Sequence, residues 1–126
     1  MIIGGLIVTH GQLGNTLVEE TARLVGQHDK FIAISTHGLS AQEITEKVKE
    51  IIQSDPWIIF SDAPGTSPTV RSYAAIEKGQ SVISGVNLGM LLSFLVHRES
   101  YPIQELAIKM VEDGQRALEV FWPRID

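Results

Sequence analysis

The sequence predicts a single α/β domain over residues 1–126: a three-layer open sheet of four mainly parallel strands with helices on both faces. Three observations carry this. Short apolar runs alternate along the chain with longer stretches of helical periodicity, the pattern of a parallel sheet with crossover helices. The first run, from Ile2 to Val8, is apolar throughout rather than alternating, as a strand buried on both faces must be. No internal repeat, linker or low-complexity tract divides the chain.

Taken in order, the first strand ends at Thr9-His10-Gly11, and helical spacing of Leu13, Leu17, Ala22, Leu24 and Val25 follows. Asn15 or Thr16 is the expected cap of that helix. Phe31 to Ser35 reads as the second strand. Ser40 and Glu43 then have the spacing of a capping box, with Ile44, Val48, Ile51 and Ile52 on one face of the helix they open and Asp55-Pro56 closing it. Trp57 to Phe60 is the third strand, followed by a loop of turn formers from Ser61 to Pro68. Pro68 suits a first helical turn with Ser67 as its cap, and the helix is expected to run to about Lys78, before Gly79. Ser81 to Val86 is the fourth strand. Met90 to Val96 reads as a buried helix and Ile103 to Ala117 as a last amphipathic one. Leu118 to Trp122 is expected to form a fifth strand, with Phe121 and Trp122 packing either across a subunit interface or on the chain's own core.

Composition narrows the function. Hydrophobic residues make up 44% of the chain, yet no run approaches the ~20 residues of a membrane span. The start of the sequence has no basic segment and no small-residue cleavage site, so no signal peptide is expected. The absence of cysteine excludes disulfides, thiolate zinc sites and thiol catalysis. A formal charge of −5 without a basic cluster argues against nucleic acid as a partner.

The candidate chemistry lies where strands give way to loops, the edge at which open α/β sheets bind ligands. Thr9-His10-Gly11 follows the first strand, Asp62 and Ser67 the third, and Asn87 the fourth. A carboxylate bonded to one imidazole nitrogen fixes the tautomer, leaves the other nitrogen as nucleophile and stabilises the charge that develops. Gly11 gives backbone room beside the ring, and helix amino termini nearby suit an anion such as a phosphoryl group. Each residue also has a structural reading: His10 as a strand-end residue, Asp62 as a turn residue, Ser67 as a cap, Asn87 as a left-handed position. His37, in Thr36-His37-Gly38, repeats the first tripeptide after another strand and reads as a decoy. His28 and His97 read as surface residues. The histidines have no metal-ligand spacing, and no phosphate-binding P-loop, Gly-x-Gly-x-x-Gly or Gly-x-Ser-x-Gly is present.

Three motifs carry a resemblance: Thr9-His10-Gly11 with Leu13-Gly14; Asp62-x-x-Gly65-x-Ser67-Pro68; and Gly85-Val86-Asn87-Leu88-x-Met90-Leu91. Over nearly its full length the chain resembles the IIA domain of the mannose family of the bacterial sugar phosphotransferase system (PTS). The resemblance implies a cytoplasmic phosphocarrier. Its histidine, matched by His10, takes a phosphoryl group from HPr and passes it to a IIB component, which serves sugar uptake through membrane IIC and IID components. It implies Asp62 as the carboxylate orienting the ring, with Thr9, Gly11, Ser67 and Asn87 about the phosphoryl site, and no metal or cofactor. It also implies a homodimer with a carboxyl-terminal antiparallel strand exchanged between subunits. Three positions depart from the family pattern: Thr66 replaces a glycine, Ala63-Pro64 an apolar or aromatic pair, and Gly89 a proline. Two other readings compete with the carrier. One is a non-catalytic regulatory or binding module of the same fold, the other an unrelated hydrolase or mutase using His10 covalently.

Overall fold

β1 (Gly4–Thr9) is the strand on which the sheet is built. It pairs in parallel with β2 (Phe31–Ser35) on one side and β3 (Trp57–Ser61) on the other, and β4 (Gln80–Ser84) adds outside β3. The order β2-β1-β3-β4 makes a four-stranded, all-parallel sheet in this computed structural model, whose described residues are 2–125.

All of β1 is buried, as its unbroken apolar run requires. Ile7 points to one face, where Phe60, Phe94, Leu106 and Met110 form a cluster beneath α1 (Leu13–Val25), α4 (Leu88–His97) and α5 (Ile103–Arg116). Leu6 and Val8 point to the other, against Ile44, Val48 and Ile52 of α2 (Ala41–Ile52), with Ala75 at the end of α3 (Ser67–Ala75). The two glycines of β1 are there because rings lie on them. A Cβ on Gly4 would sit 2.3 Å from the ring of Trp57, its register partner on β3, and one on Gly5 would sit 2.7 Å from Phe94.

The expected capping box of α2 is present, with Ser40 accepting the Glu43 N–H and Glu43 accepting the Ser40 N–H. Other element ends differ from expectation. Asn15 and Thr16 lie inside α1. The Thr9 hydroxyl accepts the Gly14 N–H at 2.8 Å instead, so the last residue of the strand secures the first turn of the helix. Thr66, not Ser67, is the residue before α3. That helix stops at Ala75 rather than Lys78, because Ile76 turns extended and packs on the core before the chain reverses at Gly79, φ +88°. β4 ends at Ser84, where Gly85 takes φ +87°; Asn87 itself is extended, φ −141°. Arg98, which follows α4, is buried. Its Nε donates to the Ile3 carbonyl and its Nη2 to that of Lys30, which ties together the starts of β1 and β2.

The tail forms no strand. Residues 117–125 carry no regular structure, and Phe121 and Trp122 are 84% and 80% exposed, so they do not close the chain's own core.

Candidate functional site

The strand order reverses between β1 and β3, and the carboxyl ends of these two strands flank the crevice that such a reversal opens. His10 follows β1 and Asp62 follows β3. Parallel pairing of Val8 with Ser61 brings the two loops side by side although 52 residues separate them.

Buried Thr9 anchors the His10 loop. Its hydroxyl holds the start of α1 and its carbonyl accepts the Thr36 N–H at 3.0 Å. Gly11 follows at φ +56°, in the left-handed region, and a Cβ there would meet nothing within 4 Å. The turn, not crowding beside the ring, is therefore what calls for glycine. Beyond this hairpin-like stop His10 is exposed.

Asp62 reaches His10 through the main chain. Its Oδ2 accepts the His10 N–H at 3.1 Å, while Oδ1 accepts the Ala63 N–H at 2.8 Å and the Thr66 hydroxyl at 2.7 Å. Partial burial works to raise the carboxyl pKa. The bonds from Thr66, His10 and Ala63 and the nearby His10 charge work the other way, and they hold it below the ordinary aspartate value. The ring of His10 is held elsewhere: its Nδ1 lies 3.2 Å from the hydroxyl of Thr36, which is buried just after β2. The orienting bond expected between Asp62 and the ring is thus a bond to the His10 peptide.

Thr36 and Thr66 are the residues that sequence reasoning missed. Thr66 departs from a glycine pattern, yet its hydroxyl also reaches the Ala63 carbonyl at 2.8 Å, and Thr69 bonds the same carbonyl and Ser61. A web of hydroxyls thus fixes the loop that carries Asp62. Thr36 carries one signal in the sequence, the repeated Thr-His-Gly tripeptide, in which the histidine is the more conspicuous residue. His37 is exposed, with its N–H turned back to Ser35 Oγ.

Ser67 is exposed at the first residue of α3, an amino terminus with Pro68 in its first turn and no side-chain cap. Asn87 is occupied. Its Oδ1 caps α4 by accepting the Met90 N–H at 2.9 Å, and its Nδ2 donates to the Gly114 carbonyl of α5 at 3.0 Å. Gly89 has its own reason: a Cβ there would lie 2.7 Å from Ala117 Cβ, where the end of α5 crosses the start of α4. No group of His, Asp and Glu suited to a metal ion occurs among the described residues. None of the described helices is long and apolar enough to cross a membrane. The principal concavities lie away from His10, at the amino edge of the sheet beside Ile3 and Tyr101 and along α1 beside Ala22 and His28. The site is an open loop edge that a macromolecule can approach, not a cleft that encloses a small one.

Comparison with known proteins bears on the fold and the family. The chain resembles the phosphotransferase system component EIIA of Streptococcus agalactiae, with TM-score 0.88 and 21% identity over 94% of this chain and 97% of that one. It resembles the mannose/sorbose-specific IIA subunit of the phosphotransferase system of Enterococcus faecalis, with TM-score 0.86 and 21% identity over the whole of both chains. A sigma-54 interaction domain protein from Enterococcus faecalis shares the fold at TM-score 0.76 and 11% identity, over 92% of this chain and 93% of that one. No curated protein matches the sequence. The profile of the PTS system fructose IIA component, EIIA-man, matches residues 4–111. The chain belongs to that family of IIA components of the sugar phosphotransferase system.

Proposed function

We propose that the protein is a phosphocarrier in which His10 accepts a phosphoryl group from phospho-HPr and passes it to a IIB component during PTS sugar uptake. The observation that carries this reading is an exposed imidazole at the sheet's carboxyl edge, with its ring and its peptide each fixed by a different loop. Exposure is what a carrier needs, because donor and acceptor proteins must each reach the same nitrogen in line. A histidine phosphoramidate is a high-energy bond, so transfer between carriers is nearly balanced and asks only for a nucleophile, its positioning and donors for the phosphoryl oxygens. The uncapped amino terminus of α3 beside Ser67, and the loop peptide of Gly11, are the source of those donors. No metal or cofactor enters this chemistry. The protein works in the cytoplasm as one domain over residues 1–126, meets the membrane IIC and IID components only through IIB, and pairs as a homodimer through its tail. β4 is an edge strand, and the Leu118-Glu119-Val120-Phe121-Trp122 segment is exposed; both support that pairing.

Incubation with phosphoenolpyruvate, enzyme I and HPr labels the wild-type protein. His10→Ala abolishes the labelling and His37→Ala leaves it intact. Equal labelling of His10→Ala and wild type sinks the assignment.

A regulatory module of the same fold is the second reading, favoured by the shared architecture of the sigma-54 interaction domain protein. On that reading a partner binds wild type and His10→Ala equally well and no phosphoryl group is passed on.

A further inference from the structure

Thr36 is 5% exposed and bound to the end of β1 through three contacts. Its N–H donates to the Thr9 carbonyl at 3.0 Å, its hydroxyl lies 3.4 Å from that same carbonyl, and the hydroxyl lies 3.2 Å from His10 Nδ1. A carbonyl only accepts, so toward Thr9 the hydroxyl is the donor. With its one hydrogen directed there, the oxygen offers a lone pair to Nδ1–H.

We propose that Thr36 is the positioning residue of the His10 ring. Its hydroxyl accepts from Nδ1–H and thereby leaves the nucleophilic lone pair on Nε2, a task the sequence assigned to Asp62. Asp62 holds the His10 peptide instead. The hydrogen bond stands on geometry alone; its consequence for transfer rests on the phosphocarrier reading.

In the transfer, the Nε2 lone pair forms the new N–P bond. The bond from phosphorus to the donor's imidazole nitrogen breaks, and its electron pair stays on the donor ring. No proton moves at His10. Nδ1 keeps its hydrogen, the ring becomes a phosphoimidazolium, and the Thr36 oxygen faces the new charge. A carboxylate in that place would hold the charge more tightly. A hydroxyl has a different property: once Nδ1 has lost its proton, the same group rotates and donates to the bare nitrogen. Thr36 therefore fits both protonation states of the phosphohistidine, whereas an acceptor-only carboxylate fits one.

The test uses the full chain, ¹⁵N-labelled and unphosphorylated, with the ring nitrogen shifts of His10 read by NMR. Wild type and Thr36→Ser show the Nδ1–H tautomer. Thr36→Val, nearly equal in volume but without the hydroxyl, shifts toward Nε2–H. Phosphorylation by phospho-HPr slows roughly tenfold in Thr36→Val, the effect of one hydrogen bond to a charge-bearing group, and is rescued in Thr36→Ser to within about twofold of wild type. A Thr36→Val ring with an unchanged tautomer, or a wild-type ring protonated at Nε2, overturns the proposal. If Thr36→Val does not fold, the wild-type tautomer decides. Wild type that takes no label at all sinks the carrier reading, while the tautomer still reports on Thr36.

Discussion

Asp62 and His10 meet at a peptide: the Asp62 carboxylate accepts the His10 N–H at 3.1 Å, and the imidazole Nδ1 lies 3.2 Å from the hydroxyl of Thr36 on the other side. The two supports of one histidine are thus divided between the loops after β2 and β3. The acid sets where the loop lies, and the hydroxyl sets how the ring is turned.

That division gives Asp62 a part in stability whatever its part in the candidate site. Its folded pKa lies below the unfolded one, so its contribution is complete above about pH 4 and is lost as pH falls through the folded value. Asp62→Asn should lower stability at pH 7 by about 1 kcal/mol, the low end for a charged hydrogen-bond acceptor because the carboxylate is only half-buried. Urea midpoints measured from pH 7 to pH 3 should fall less steeply in Asp62→Asn than in wild type. Parallel curves would mean that Asp62 contributes nothing to the acid limb.

Gly4→Ala should be destabilising although alanine is a small residue. The added methyl would overlap the ring of Trp57, which is buried in the core. A cost of about 1–3 kcal/mol is expected for such overpacking. Denaturant titration measures it, and a shift in Trp57 emission should accompany it.

Asn87→Ala removes a helix cap and a bond between helices with one substitution. A loss of about 1–2 kcal/mol should follow. Thermal unfolding of this variant beside Asn87→Asp, which keeps the cap acceptor and loses the donor to Gly114, separates the two parts.

If the proposed pairing through the tail holds, truncation after Ala117 turns a dimer into a monomer without altering the helical content of the domain, because residues 117–125 are exposed and carry no regular structure. Sedimentation velocity before and after truncation gives the answer. A truncated chain that remains dimeric places the interface elsewhere.

Much of the fold could be read from the residues because hydrophobic pattern and turn chemistry agreed. The apolar runs of β1 and β3 and the box at Ser40 and Glu43 each specify their element locally, whereas Asn87 is an extended helix cap and not the left-handed position expected of it. Where expectation failed, a distant contact decided. α1 is secured by Thr9 across a loop rather than by Asn15 or Thr16, and α3 ends early because Ile76 has a place in the core. The tail carries a strand's composition, yet residues 117–125 form no strand in the single chain. At the site, His10 and Asp62 announce themselves by residue type and position. Thr36 does not, since a threonine after a strand is ordinary until its register against Thr9 is known.

The distance along the chain from His10 to Thr36 is 26 residues, and from His10 to Asp62 it is 52. One imidazole is therefore braced by partners that arrive only after two successive crossovers have closed about β1. A nascent or partly melted chain lacks both braces, and the ring and peptide of His10 are held together only in the finished sheet.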